Sequence, residues 1–240
     1  MVLNDVALIG TDTVRTRAYL QLLLRKEYVL HHCYIFADEL EEMEAVSAAF
    51  QTQKSASDYF DREEPVLYTL RNAQIPYTLI RADSINSKSV IEMIHRSEEQ
   101  NLIYSGFGGQ ILKKEVFDTG KTFIHVHPGI LPAYRGSTTV YYSLLKEGFC
   151  GVSAIVMTPG LDNGDVIVER RYPMPPWGVD IDYIYDPYIR AEVLVEAIET
   201  YLESGVFKGR KQQEENANTY YIAHPVLRHI VRLMQDSGGG

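Results

Sequence analysis

Short apolar runs alternate with polar, helix-compatible stretches along most of the chain. Runs rich in β-branched and aromatic residues predict strands over residues 6–10, 32–37, 77–80, 101–105, 123–127, 152–158 and 166–171. The stretches between them predict helices over residues 14–27, 38–53, 87–97 and 137–146, and mostly helical structure over 54–74. Strands that alternate with helices join through right-handed crossovers, and two strands separated by a short turn pair antiparallel. The pattern therefore predicts an α/β fold with a mainly parallel sheet, helices on both faces and an antiparallel edge.

The alternation stops at a proline-rich stretch over residues 173–178, which reads as a linker before a long helix. Beyond that helix the sequence continues with an aromatic, extended segment and a short basic helix. The final Ser-Gly-Gly-Gly has the composition of a flexible tail. We expect a main domain over residues 1–205, a C-terminal extension over 206–236 and a tail over 237–240.

Charge and composition narrow the range of partners. The 240 residues carry a formal net charge of −9 and a pI near 5.3, which disfavours nucleic acid because phosphate binding needs a basic surface. No apolar run approaches the roughly 20 residues that span a bilayer, so no membrane partner is expected. Cys33 and Cys150 lack the spacing of metal ligands, and together with the absence of a signal-like N-terminus they favour a reducing, cytoplasmic location.

Two histidines end the strand predicted over residues 123–127. Side chains alternate between the faces of a strand, so His125 and His127 should point the same way at its carboxyl end, where ligands bind in open α/β sheets. Asp162 stands in a Leu-Asp-Asn-Gly turn before a later strand and can orient one of these imidazoles. The residues alone leave two interpretations open, an acid–base pair or a site for zinc, iron or copper built from His-x-His and a carboxylate.

The motif also resembles a family signature that runs Asn-x-His-Pro-Ser-Leu-Leu-Pro, a basic or aromatic pair and Gly, and later an Asp-x-Gly turn. The chain reads His-Val-His-Pro-Gly-Ile-Leu-Pro over 125–132, Tyr-Arg-Gly over 134–136 and Asp-Asn-Gly over 162–164. On these residues it resembles the folate-dependent formyltransferases, which include the glycinamide ribonucleotide, methionyl-tRNA and sugar N-formyltransferases. The resemblance implies a Rossmann-like catalytic domain over residues 1–205. It also implies that the extension over 206–236 is a variable element that helps to choose the acceptor.

The resemblance implies a transferase that moves a formyl group from N10-formyltetrahydrofolate to the primary amine of a small acceptor, without a metal. It places His127 and Asp162 at catalytic positions of the family. The family's catalytic Asn, however, is His125 in this chain. We predict that a protonated nitrogen of His125 replaces the Asn amide as the hydrogen-bond donor to the formyl oxygen.

The resemblance further implies binding residues for the two substrates. In the family, a loop equivalent to Gly109, Gln110, Ile111 and Leu112 lines the pterin pocket through its main chain, which glycines allow a flat ring to approach. Residues Tyr134, Arg135 and Gly136 are expected on the acceptor side. For Arg135 two roles stay open: it holds an acidic group of the acceptor, or it ties down its own loop.

Two of the family's acceptor classes are disfavoured by the sequence. The loop after the first strand, Gly-Thr-Asp-Thr over residues 10–13, is a poor phosphate cradle, and the negative charge disfavours tRNA. A nucleotide-linked amino sugar is therefore the preferred acceptor. The alternatives are a formyl-folate hydrolase, a non-catalytic folate-binding relative and a metal-dependent enzyme that uses the His-x-His and Asp cluster. A homodimer is among the oligomeric states left open.

Overall fold

The computed structural model describes residues 1–51 and 58–237, and the chain divides into two compact units, Met1–His125 and Val126–Gly240. The sequence placed an extension at 206–236, and this segment lies within the second unit. The end of the helix predicted over 38–53, the beginning of the segment 54–74 and most of the tail 237–240 lie outside the described residues.

The first unit is built on parallel strands that pair in the order β3-β2-β1-β4-β5. Strand β5 begins in this unit and ends just beyond its boundary. The elements, in chain order, are β1 (Val2–Gly10), α1 (Val14–Arg25), β2 (Val29–Ala37), α2 (Leu40–Ala49), α3 (Val66–Asn72), β3 (Tyr77–Arg81), α4 (Lys88–Arg96), β4 (Asn101–Ser105), α5 (Lys114–Phe117) and β5 (Thr122–His127).

Strand β4 is buried along its whole length, as expected for an interior parallel strand with an apolar sequence. Its last residue, Ser105, is fixed by helix α1. The Oγ atoms of Thr16 and Ser105 lie 2.8 Å apart, and Nε of Arg15 donates to Ser105 Oγ at 3.1 Å. Helix α1 itself is capped by Thr13, whose side chain accepts from the Thr16 amide. Helix α1 therefore holds the residue from which the loop after β4 begins.

The second unit contains an antiparallel pair, a long helix and a small parallel ladder. Its elements are β6 (Arg135–Gly136), α6 (Thr139–Glu147), β7 (Phe149–Val156), β8 (Asp165–Pro173), a π-helical turn (Ile181–Tyr185), α7 (Asp186–Ser204), a 3-10 turn (Glu214–Asn216), β9 (Thr219–Tyr220) and α8 (Pro225–Ser237). Strands β7 and β8 pair antiparallel, with an irregularity of register at Ala154 and Ile155. Strands β6 and β9 pair in parallel.

The predicted fold class is confirmed. The main sheet of the described residues holds seven strands, with β7 and β8 as its antiparallel members at the edge, and each predicted strand matches one of them. One detail differs. The segment expected to be mostly helical over 54–74 is described over 58–74, and there it forms a helix only over Val66–Asn72.

Among the described residues, no helix combines the length and the apolar character that a membrane crossing requires.

Candidate active site

The loop after β5 is held by a buried serine. Ser153, on β7, donates its hydroxyl to the carbonyl oxygen of Gly129 at 2.8 Å and accepts from the amide of Leu131 at 3.2 Å. Ser153 is fully buried, so these hydrogen bonds replace water for two backbone groups of the loop. The loop that begins directly after His127 is therefore fixed to the strand beside it.

His127 is 2 % exposed, and its two ring nitrogens face different partners. Nε2 lies 2.5 Å from the carbonyl oxygen of Tyr134, which can only accept, so Nε2 carries a hydrogen. Nδ1 lies 3.5 Å from Oδ2 of Asp162. The backbone thereby selects the tautomer, and Nδ1 is the nitrogen left to take up or release a proton.

Asp162 reaches this histidine from a strained turn. Its backbone is left-handed, with φ of 49°, and its Oδ2 accepts a hydrogen bond of 2.8 Å from the amide of Gly136. Gly136 has φ of 99°, and a Cβ there would lie 2.0 Å from the carbonyl oxygen of Tyr220. Only glycine fits at position 136, because of both this contact and its dihedral angle.

Burial and charge act in opposite directions on the His127 imidazole. Burial lowers its pKa below the ordinary 6.5, while the Asp162 carboxylate opposes this by favouring the imidazolium. His127 is thus mainly neutral at pH 7. In that state Nδ1 and the carboxylate oxygen are both acceptors, and a proton taken up at Nδ1 turns their contact into an attraction. This is the electrostatic arrangement of a general base supported by an acid side chain.

His125 lies two residues before His127 on β5, so both side chains leave the same face of the strand. Its imidazole is half-buried, and its ring centroid is 6.1 Å from that of Tyr104 on β4. Burial raises the pKa of Tyr104 to about 12, so the phenol is neutral at physiological pH. The sequence did not single out Tyr104, since nothing in a lone strand tyrosine distinguishes it from a packing residue.

The predicted acceptor-side residues contact the C-terminal segment. Arg135 is 8 % exposed; its guanidinium donates to Oε1 of Gln212 at 2.7 Å and forms two hydrogen bonds of 2.8 and 2.9 Å with Glu214. The ring of Tyr134 is buried and stacks on Tyr220 with centroids 5.3 Å apart. These contacts favour the second of the two roles considered for Arg135, in which it ties down its own loop.

The predicted pterin loop belongs to the first unit and is tied to a neighbouring turn. The side-chain amide of Gln110 donates to the carbonyl oxygen of Asp83 at 2.7 Å. Gly109 is left-handed, with φ of 80°, while Ile111 is exposed and Leu112 is buried. The loop offers backbone groups and one exposed apolar side chain, a combination suited to a flat aromatic ring.

The side chains are compatible with both interpretations. Nε2 of His127 donates to the Tyr134 carbonyl and Oδ2 of Asp162 accepts from the Gly136 amide, which leaves the lone pair of Nδ1 for a proton or for a metal ion. One ligand atom from each of His125, His127 and Asp162 lies within 4.8 Å of the others. The sequence missed Ser153 and Gln212, which hold the two loops of this site, because their contacts join distant positions and leave no local motif.

A family model and curated relatives match a large part of the chain. The family model described as Formyl transferase matches residues 42–194. Methionyl-tRNA formyltransferase of Syntrophus aciditrophicus (strain SB) is 29 % identical over 161 residues, which cover 65 % of this chain and 49 % of the relative. The corresponding protein of Geotalea uraniireducens (strain Rf4) is 33 % identical over 143 residues, covering 58 % and 44 %. The chain spans about half the length of these curated relatives.

Solved structures share the fold. WlaRD, a sugar 3N-formyl transferase crystallised with dTDP and 5-N-formyl-THF, superposes with a TM-score of 0.54 at 17 % identity, covering 91 % of this chain and 69 % of that one. Phosphoribosylglycinamide formyltransferase from Streptococcus pneumoniae TIGR4 gives a TM-score of 0.57 at 15 % identity, covering 85 % of this chain and 100 % of that one. From the family match over most of its length, the chain belongs to the formyl transferase family.

Proposed function

We propose that the protein is an N-formyltransferase that moves a formyl group from N10-formyltetrahydrofolate to a primary amine of a small acceptor. The observation that carries this proposal is the buried His127 at the end of β5, whose Nδ1 is directed at the carboxylate of Asp162. Family membership supplies the chemistry that such a pair would serve.

In the proposed reaction the acceptor amine attacks the formyl carbon, a C–N bond forms and the carbonyl oxygen becomes an oxyanion. Nδ1 of His127 takes the proton that the amine loses, and Asp162 stabilises the resulting imidazolium. The intermediate collapses when the bond between the formyl carbon and N10 breaks, and the proton passes to that nitrogen. The products are an N-formylated acceptor and tetrahydrofolate.

The oxyanion needs a hydrogen-bond donor, and we assign this role to His125. It leaves β5 on the same face as His127 and occupies the position of the Asn in the family signature. A protonated ring nitrogen can replace an amide N–H at this point of the reaction. The hydroxyl-bearing ring of Tyr104 beside it stays neutral, so it adds no negative charge next to the developing oxyanion.

We further propose that Gly109, Gln110, Ile111 and Leu112 contact the pterin of the donor. A structural neighbour from Helicobacter canadensis was crystallised with folinic acid and dTDP-3-aminofucose, which fits a donor of this type. On the acceptor side, Tyr134 and Gly136 would shape the loop near the amine. Arg135 would act by holding that loop, since its guanidinium already has partners.

For the acceptor we propose an amino sugar attached to a nucleotide. Several structural neighbours are described as sugar N-formyltransferases, including one from Shewanella sp FDAARGOS_354 with a TM-score of 0.55, 15 % identity and coverage of 96 % of this chain and 87 % of that one. The sequence relatives named above act on methionyl-tRNA, but the net charge of −9 weighs against a polyanionic substrate.

The test is a transfer assay with N10-formyltetrahydrofolate and four separate conditions: a dTDP-amino sugar, methionyl-tRNA, glycinamide ribonucleotide and no acceptor. We expect tetrahydrofolate to appear together with a formylated amino sugar detected by mass spectrometry. Formylation of the tRNA or the ribonucleotide instead would correct the acceptor. Formate release without any acceptor would identify a hydrolase, and the absence of all turnover with the donor bound would indicate a binding protein.

A further inference from the structure

A segment of the second unit, residues 210–220, closes over the Asp162 turn; we refer to it as the clasp. At its start, Arg210 exchanges two backbone hydrogen bonds of 2.9 Å with Val166, at the beginning of β8. At its end, β9 pairs with β6. The clasp therefore contacts β8 shortly after Asp162, and it contacts β6 at the end of the loop that follows His127.

Gln212 is the side chain through which the clasp holds the turn. Its Nε2 donates to the carbonyl oxygens of Asp162 and Gly164, at 2.7 Å each. Its Oε1 accepts from Arg135 at 2.7 Å, which fixes the orientation of the amide. Both hydrogens of the Gln212 amide nitrogen therefore bond to the turn over residues 162–164, and the Gln212 side chain is half-buried.

The turn needs such support because its conformation is unfavourable by itself. A left-handed backbone is unfavourable at a residue other than glycine, and Asp162 has φ of 49°. Gly164 leaves no room for a side chain, since a Cβ would lie 1.8 Å from the carbonyl oxygen of Val156. The two hydrogen bonds from Gln212 connect the strained Asp162 to the closely packed Gly164, and so they favour the observed conformation of the turn.

The clasp also holds the group that binds the Asp162 carboxylate. The amides of Arg135 and Ser137 each donate to clasp carbonyls, those of Asn218 and Tyr220, at 2.9 Å. Between them, the Gly136 amide donates to Oδ2 of Asp162. The backbone of the acid and the partner of its carboxylate are thus fixed by the same eleven-residue range, 210–220.

We propose that Gln212 is a positioning residue, which keeps the Asp162 carboxylate at Nδ1 of His127, and that the clasp is part of the active-site architecture. The inference rests on the proposed function only for its effect on the rate. Its effect on the histidine is a property of the free protein. It extends the role expected for residues 206–236, which was limited to the choice of acceptor.

The first experiment compares Gln212→Leu with the matched control Gln213→Leu, which replaces an exposed neighbour outside these contacts. The His127 resonances are followed by NMR through a pH titration of the protein without substrates. We expect Gln212→Leu to lower the pKa of His127, because the carboxylate that favours the imidazolium is less often in place. We also expect the Gly136 amide resonance to move upfield as its carboxylate partner is lost, and Gln213→Leu to leave both unchanged.

A double-mutant cycle then tests whether Gln212 acts through Asp162. Asp162→Asn alone should lower the pKa of His127 further than Gln212→Leu does. In the Asp162→Asn background, Gln212→Leu should add no further shift. An equal shift in both backgrounds, or an unchanged His127 titration in folded Gln212→Leu, would overturn the proposal. Gln212→Asn, one methylene shorter, gives the same readouts if the leucine variant does not fold.

Kinetics separates this proposal from the proposed function. With a productive acceptor, Gln212→Leu should lower kcat about tenfold and leave the KM for the donor unchanged, since a small displacement of a catalytic group is costly to the rate. If no acceptor is ever turned over while the NMR shifts appear, the proposed function fails and the positioning role stands. If transfer is observed but the NMR readouts are unaffected by Gln212→Leu, the positioning role fails alone.

Discussion

The loops that follow β4 and β5 are held in different ways. The loop over residues 106–112 is held by side chains of one preceding turn and by Arg15, and Phe107 and Ile111 remain exposed. The loop over residues 128–136 is mostly buried, and it is held by β7, by the Asp162 turn and by the clasp. The proposed donor loop therefore keeps an accessible apolar surface, whereas the proposed catalytic loop is enclosed by its supports.

The difference follows from what each loop is proposed to do. Proton transfer depends steeply on distance and angle, so the groups that perform it need several independent supports. Binding of a flat ring by backbone groups tolerates small displacements and requires an accessible surface. Substitutions that disturb the loop over 128–136 should therefore lower kcat, whereas substitutions that disturb the loop over 106–112 should weaken donor binding.

The largest effect is expected from His127→Ala. Removal of the general base should lower kcat about 10³-fold, within the range that acid–base catalysis contributes, while the dissociation constant of the donor stays within about threefold. Single-turnover release of tetrahydrofolate and calorimetric titration with folinic acid measure the two quantities. His229→Ala, at an exposed histidine of α8, is the control. A His127→Ala enzyme within tenfold of the wild-type rate would refute the assignment.

Asp162→Asn should cost about 10²-fold in kcat, since the side chain can still accept from Gly136 but no longer stabilises an imidazolium. It also has a pH signature. The pKa of His127 lies below 6.5, so the wild-type kcat/KM should hold near pH 7 and fall as pH drops below 6.5. Because the carboxylate raises that pKa, the acid limb should move to lower pH in the variant. A shift to higher pH would contradict this assignment of the pair.

His125 offers a comparison between two replacements. His125→Ala should lower kcat about 10²-fold, the usual effect of removing one oxyanion donor, whereas His125→Asn should stay within about tenfold of wild type. Steady-state kinetics with saturating donor separates the two variants. An alanine variant with an undiminished rate would mean that the oxyanion is stabilised by other groups.

Features carried by one element could be predicted from the sequence, and contacts between elements could not. The alternation of elements predicted the parallel strands, because each apolar run by itself indicates a buried strand. The two histidines at the end of β5 were recognised from their two-residue spacing. Asp162 was identified from its turn and from the family signature. The strands β6 and β9 are two residues long and carry no pattern of their own. Their existence depends on contacts between positions more than eighty residues apart.

Gln212 could not have been found for a similar reason. It pairs with Asp162 and Gly164 across about fifty intervening residues, and a single glutamine in a polar stretch reads as solvent-exposed. Arg135 was recognised as a candidate, but its partner, Glu214, could not be identified without the fold. Chemistry that lies within one element could be predicted, and support that comes from another element could not.

The smallest effect is expected in the first loop, at Asn86. Its Nδ2 donates to the carbonyl oxygen of Ile111 at 2.9 Å, and its Oδ1 accepts from the amide of Lys113 at 2.8 Å. Asn86→Ala removes both contacts and should weaken folinic acid binding about five- to tenfold, in line with about 1 kcal/mol for a net hydrogen bond, with kcat at saturating donor unchanged. The matched variant Asn86→Asp keeps an acceptor for Lys113 and loses the donor to Ile111, so it should fall between wild type and alanine. A fall in kcat without a change in affinity would contradict the distinction between the two loops, because the support of the first loop would then serve catalysis like that of the second.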